Sequence, residues 1–430
     1  MMRLSFGFGD TVQTAEVPEK NLLGTLLPGE TQHPVRGKEA VRAALADPVG
    51  TPPLGELFRS RRAEGGGKRI VIITSDISRP CPSQLILPEI LEELFRAGAR
   101  PEEITVVFAL GSHRRQSEEE RRKLVGERVF SLVRCTDSDP DDCVLLGVTA
   151  AGTPVDITRT VAEADFRICA GNIEFHYFAG FSGGVKALFP GCASRSAIQA
   201  NHAMMLRPGA CAGRLEGNPL RDDLEEAGRL AGIDFIVNVV LDEKKEIVHA
   251  AAGDAVLAHR AGCAYLERMY SVKIREKADI VLVSQGGAPK DLNLYQTQKA
   301  LDNAKNAVRD GGVVILIGSC REGLGEAVFE RWMKEAGTPR DLTERVRTKF
   351  ELGGHKAAAI AMVLERADIY LVSEMDPELV RKCFLTPFRT VQEALDAAFL
   401  RCGPDASVLA MPYGGSTLPM YVPQAADADL

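Results

Sequence analysis

Long apolar runs are missing from this chain. No stretch approaches the run of about 20 apolar residues that spans a bilayer. The opening segment, residues 1–10, lacks the apolar core of a secretory signal. A cytoplasmic protein with no membrane partner is expected. Ten cysteines occur, yet no two form a C-x-x-C pair, which argues against a zinc knuckle or dithiol redox motif and for reduced, mostly buried thiols. Histidine is scarce, with seven in 430 residues, and no H-x-H or H-x-x-x-H pair is present; spacing therefore disfavours a zinc hydrolase. Positive charge is not in excess either. The net charge is −7, so no nucleic-acid footprint is indicated, and an anionic substrate must be met by local Arg and Lys. There is one tryptophan, Trp332, and no internal repeat. Disorder is expected only at the termini, as in the acidic tail 425–430.

What is present is a βα alternation. A chain of 430 residues exceeds one ordinary core, so two domains are expected. Short β-branched runs at 69–74, 104–109, 235–240, 279–284, 313–317 and 369–372 read as buried strands. Between them, Leu87, Ile90, Leu91 and Leu94 recur at helical spacing, and Ser117 with Glu120 forms a capping-box pattern. Such alternation predicts two α/β domains with mainly parallel, helix-covered sheets and an active site in the cleft between them. The division is placed after residue 272, giving a catalytic and cofactor-binding domain 1–272 and a second domain 273–430. The last strand-like run, 407–411, fits either domain.

Ligands of open α/β sheets gather at the carboxyl ends of strands. Three such ends are polar here: Ser75-Asp76-Ile77-Ser78-Arg79-Pro80, Gly111-Ser112-His113-Arg114, and Gln285-Gly286-Gly287-Ala288-Pro289-Lys290-Asp291. Asp76 and Arg79 also fit a simple ion pair at a helix start. The richest segment runs from Gly171 to Gly191. It contains His176 and the turn Ser182-Gly183-Gly184-Val185-Lys186, whose backbone N–H groups are suited to a phosphate, although the P-loop spacing is absent. His202 follows. Three histidines beside such turns point to a metal site or to acid–base chemistry.

These pieces, together with Pro289-Lys290-Asp291-Leu292-Asn293-Leu294-Tyr295-Gln296-Thr297-Gln298-Lys299-Ala300, resemble the nickel-dependent lactate racemase family over most of the chain and in order. The resemblance implies a nickel pincer nucleotide, a pyridinium mononucleotide with two sulfur arms, covalently attached at Lys186. It implies that His202 ligates the nickel. It makes His113 and His176 the acid–base pair, with Asp76 beside the first. Arg79, Tyr295, Gln296 and Lys299 match residues around the substrate. Ser182, Gly183 and Gly184 are assigned to the cofactor from turn chemistry, with Gly286 and Gly287 added. Cofactor-maturation enzymes are the implied partners, and a small 2-hydroxy acid is the implied substrate.

The implied reaction is physically sensible. The α-hydrogen of a 2-hydroxy carboxylate is a very weak acid, whereas removing hydride gives a planar 2-oxo acid that can be reduced from either face. Each enantiomer needs a base for its hydroxyl proton, hence two histidines. No aromatic residue lies at 352–358, where lactate-preferring members carry one. His355 and Lys356, after Gly353-Gly354, are therefore assigned to the far end of a larger or more polar substrate. A 2-epimerase of sugar acids, a non-catalytic cofactor carrier and a zinc hydrolase remain the alternatives.

Overall fold

A computed structural model describes residues 1–29, 34–348 and 350–422. The acidic tail 425–430 lies outside the described residues. The chain forms two compact units, Thr31–Glu267 and Met1–Glu30 with Arg268–Leu430.

The division differs from the one after residue 272 at its start. The N-terminal strands Met2–Phe8 and Thr11–Val17 form an antiparallel hairpin. Their alternating apolar residues Phe6, Phe8, Ala15 and Val17 pack into the core that Ile280, Leu282, Ile315 and Val408 also build. Leu22–Thr25 then pairs in parallel with Val408–Met411. Four alternating residues are enough to bury one face of a hairpin.

The unit Thr31–Glu267 holds a six-stranded sheet. Its order is Ile247–Gly253, Phe235–Leu241, Phe166–Ile173, Ile70–Ser75, Ile104–Ala109, Arg134–Asp137. All pairs are parallel except the edge strand Ile247–Gly253, which is antiparallel to its neighbour. Ile70, Val71, Ile72 and Ile73 are all buried, because helices cover both faces. One cover is Ser83–Arg96, which buries Ile86, Leu87, Ile90, Leu91 and Leu94. The expected capping box is formed: Ser117 Oγ accepts from Glu120 N, and Glu120 returns a bond to Ser117 N.

Strand order decides where a site can lie. From Ile70–Ser75 the chain winds outward through Ile104–Ala109 to Arg134–Asp137, then returns to the other side as Phe166–Ile173. The reversal between Ile70–Ser75 and Phe166–Ile173 opens a crevice at their carboxyl ends, the usual ligand position in such sheets.

The other unit has a fully parallel six-stranded sheet, ordered Thr386–Phe388, Asp368–Val372, Val308–Ile317, Ala278–Ser284, Val408–Met411, Leu22–Thr25. The run 407–411 thus stays within this unit. No helix among the described residues is long and apolar enough to cross a membrane.

Candidate active site

Adjacent parallel strands bring distant residues together. Ser75 pairs with Ala109 at the ends of their strands, so the loops that follow each meet. There His113 Nδ1 lies 2.6 Å from Asp76 Oδ2 and 3.0 Å from Ser78 Oγ. Asp76 Oδ1 also accepts from Ser78 N at 2.6 Å. Burial pushes the Asp76 carboxyl up, but the bonds and charge from His113 and Ser78 outweigh it and hold the group below its ordinary value. Asp76 is therefore an acceptor, and His113 carries its proton on Nδ1. The opposite nitrogen, Nε2, is left as a base. Arg79 Nη2 lies 3.4 Å from that nitrogen. Asp76 and Arg79 are not an ion pair; the imidazole stands between them.

The next strand of the sheet, Phe166–Ile173, leads into a tight hairpin in which Phe175 pairs with Phe181 and His176 with Gly180. His176 Nδ1 accepts from Ala179 N at 3.3 Å, and Nε2 lies 3.4 Å from Lys186 Nζ. Phe178 packs edge-on against both His176 and His202, with centroid distances of 4.4 and 5.1 Å. His202 ends the helix Arg195–His202 and is buried. Burial first, then the charges of Arg221 and Arg79, hold the Lys186 ammonium well below the ordinary lysine value. Burial and the charge of Lys186 do the same to the His176 imidazole. No carboxylate among the described residues pairs with Lys186. An amine so placed favours its uncharged form more than a surface lysine does.

The glycine-rich turn is pinned, not open. Ser182 N donates to Glu174 O, Ser182 Oγ donates to Asn172 O at 2.8 Å, and Gly184 N donates to Asn238 Oδ1 at 2.7 Å. Two of the three N–H groups expected to cradle a phosphate at Ser182, Gly183 and Gly184 are thus already used. Their work is to fix the loop that carries Lys186. His259, which sequence reasoning missed, completes the anchor: its Nε2–H donates to Ser182 O at 2.8 Å. It sits on an amphipathic helix, where a lone histidine gives no signal.

Burial pushes the His259 imidazole well below 6.5. The folded protein then binds fewer protons than the unfolded chain, so this contribution to stability is complete above pH 6.5 and is lost as pH falls. His259→Gln is expected to lose less stability than the parent between about pH 7.5 and 5.5, by about 1 kcal/mol. Urea unfolding at the two pH values measures it; identical losses would mean that His259 does not carry the effect.

The remaining predicted residues lie in the other unit. Tyr295, Gln296 and Lys299 occupy the outer face of the helix Leu294–Ala304, whose start is capped by Asn293 through Gln296 N at 3.0 Å. Lys356 Nζ donates to Tyr295 O at 2.7 Å and stands 4.1 Å from the centre of its ring. His355 Nδ1 accepts from Gly353 N, and its ring stacks on Phe350. The aromatic surround that seemed absent at 352–358 comes from elsewhere in the fold. Trp332 fills the space beside Gly354, and Phe329 packs on Tyr295. Gly286 and Gly287, with φ of 96° and 91°, let the chain cross the turn after Phe8; a Cβ on Gly7 would fall 2.3 Å from the carbonyl carbon of Gly286. That crossing accounts for both glycines.

Among the described residues, no three His, Cys, Asp or Glu side chains stand where they could hold a metal ion. A three-ligand zinc site is therefore not built, and a metal here needs donors that the side chains do not supply.

Similarities to known proteins make the chain an enzyme of the isomerase class. Residues 8–213 match the model of the lactate racemase N-terminal domain and residues 273–418 that of the lactate racemase C-terminal domain. The chain is 33% identical to the lactate racemase of Thermoanaerobacterium thermosaccharolyticum, over 97% of this chain and 99% of that one. It is also 33% identical to the lactate racemase of Lactiplantibacillus plantarum, over 96% and 99% respectively. The solved lactate racemase apoprotein from T. thermosaccharolyticum superposes with a TM-score of 0.85 at 32% identity, covering 97% of this chain and all of that one. A Thermotoga maritima protein, 18% identical with a TM-score of 0.59 over 87% of this chain and 99% of that one, shares the fold. The chain belongs to the lactate racemase family.

Proposed function

We propose that the chain interconverts the enantiomers of lactate or a similarly small 2-hydroxy acid, with a nickel pincer nucleotide bound through Lys186. The observation that carries this reading is the Lys186 amine lying 3.4 Å from the His176 imidazole, at the carboxyl end of the sheet that also holds the Asp76–His113 pair.

The residues present fit such a group. Lys186 offers a half-buried amine with no carboxylate partner among the described residues, and His202 offers one imidazole to a metal whose other donors the nucleotide would bring. When bound, the group supplies a reversible hydride acceptor. The chain's own residues do the rest. Arg79 clamps the carboxylate and so orients the α-carbon. His113 Nε2 takes the hydroxyl proton from one enantiomer, and Asp76 stabilises the imidazolium that results. His176 serves the other enantiomer. Tyr295, Gln296 and Lys299 are read as further substrate contacts. Free thiols, six of them buried, suit a reducing cytoplasm. A mere cofactor carrier would have no use for the oriented Asp76–His113 pair.

His355 and Lys356 are engaged within their own unit, which favours a structural role for both. Lys356→Met is expected to lower stability by about 1–2 kcal/mol, through the lost charge-assisted bond and ring contact. It should reduce kcat/KM for lactate and for a bulkier hydroxy acid by similar factors. A loss confined to the bulkier acid would return Lys356 to substrate recognition.

The main test is direct. Protein loaded by co-expressed cofactor-maturation enzymes is incubated with D- or L-lactate, and both should converge on an equal mixture by chiral chromatography. Nickel-bearing protein that leaves every 2-hydroxy acid tried unchanged would sink the reading.

A further inference from the structure

The helix Pro219–Ala231 reads as a charged surface helix, PLRDDLEEAGRLA, yet two of its charged side chains are buried: Arg221 at 0% exposure and Asp223 at 3%. Both turn toward the elements that carry the site histidines. Arg221 Nε donates to Ala179 O at 3.1 Å, and Nη2 donates to Phe181 O. Asn218, which caps the same helix through Leu220 N and Arg221 N, donates from Nδ2 to Phe178 O at 2.9 Å. Gly213 N donates to Gly180 O at 3.0 Å. Four consecutive carbonyls of the hairpin, 178 to 181, are thus held by the segment 213–221. The approach leaves no room for a side chain at Gly180, where φ is 75° and a Cβ would lie 2.1 Å from Arg214 O. On the same helix, Asp223 Oδ2 accepts from Asn201 Nδ2 at 2.7 Å, next to His202.

We propose that Arg221 is a positioning residue for the racemase reaction: from the first turn of its helix it fixes the hairpin that sets His176 against Lys186. This rests on the function proposed above. A guanidinium is a costly choice for bonding two carbonyls. It is fully buried, its Nη1 makes no hydrogen bond, and no carboxylate among the described residues bonds to it. Its planar fork does what a single-point donor cannot: it spans the carbonyls of residues 179 and 181 at once and so fixes the twist of the hairpin. Its charge also bears on both His176 and Lys186.

The test compares Arg221→Met, Arg221→Lys and, as a milder variant, Asn218→Ser, which keeps a cap but loses the bond to Phe178. In cofactor-free protein, amide exchange over residues 175–182 should rise about tenfold or more in Arg221→Met, while the strand Ile70–Ser75 stays protected. In loaded enzyme, kcat should fall by about a hundredfold with KM little changed, as for misplacement of a reacting group by about an ångström. Arg221→Lys should recover part of both, and Asn218→Ser should show both effects more weakly. A folded Arg221→Met protein with parental exchange and parental kcat would overturn the proposal. So would exchange that rises equally in the hairpin and the core strand while kcat per folded molecule is unchanged. If loaded wild type racemises nothing, the function fails; the exchange comparison still decides whether Arg221 fixes the hairpin.

Discussion

Lys186→Gln is expected to give a folded protein that carries no covalent adduct and no racemase activity when expressed beside a wild type that carries both. The amine is the group in the cluster best placed to be acylated, since burial and two neighbouring guanidiniums favour its uncharged form. Glutamine keeps most of the length and polarity but cannot attach. The fold should not suffer, because the buried amine contributes no ion pair and its desolvation is removed with it. Intact mass, nickel content and thermal unfolding measure the three parts separately. An adduct of unchanged mass on Lys186→Gln would show that attachment lies elsewhere. Loss of the adduct together with loss of folding would show that the lysine is structural.

The second large effect concerns the two bases. His113→Ala and His176→Ala should each lower turnover by about 10²–10⁴-fold, the range for a positioned acid–base group. They should do so equally in both directions. The enantiomers have the same free energy, so kcat/KM for the D form must equal that for the L form in any variant. The histidine that takes the proton from one enantiomer is the acid that re-forms that same enantiomer, so both histidines act in each direction. Asp76→Asn should fall less far, since it leaves His113 in place but removes the acceptor at 2.6 Å that holds the Nδ1 proton. Nickel should be retained by these three variants and weakened in His202→Ala. Either histidine variant turning over at the parental rate would exclude a two-base mechanism.

Much of this site was legible because its residues follow strands that announce themselves. The runs at 70–75 and 104–109 are buried and β-branched, so Asp76 and His113 could be placed at strand ends before any contact was known. Their meeting across 37 positions required only that the two strands be parallel neighbours. The supporting shell was not legible. Arg221 and Asp223 lie among Asp222, Glu225, Glu226 and Arg229, and a charged helical sequence gives no sign of which charges turn inward. Asn238 was hidden for the opposite reason, as a single polar residue in an apolar strand, and His259 as a lone histidine on an amphipathic helix. At Ser182–Gly184 the sequence leaves two uses open, because glycine-rich backbone serves anion binding and close packing equally; in the structure the amides of Ser182 and Gly184 are satisfied by Glu174 and Asn238. Sequence spacing also gave no hint of the aromatic groups around His355, which come from Trp332 and Phe350.

The pairing of Leu22–Thr25 with Val408–Met411 sets an order of assembly. The strand Leu22–Thr25 emerges from the ribosome long before its partner. At about 5–20 residues per second, the wait is on the order of tens of seconds. Meanwhile the whole of Thr31–Glu267, with its sheet and its site histidines, has been made. This unit is an insertion in the other, and it can mature while its host is still in pieces. Slow translation after residue 267 would therefore spare it and endanger the host, whose early strand stays unpaired and open to wrong partners. A permuted chain, with Met1–Glu30 moved behind the present last residues, should fold its host unit with fewer such errors.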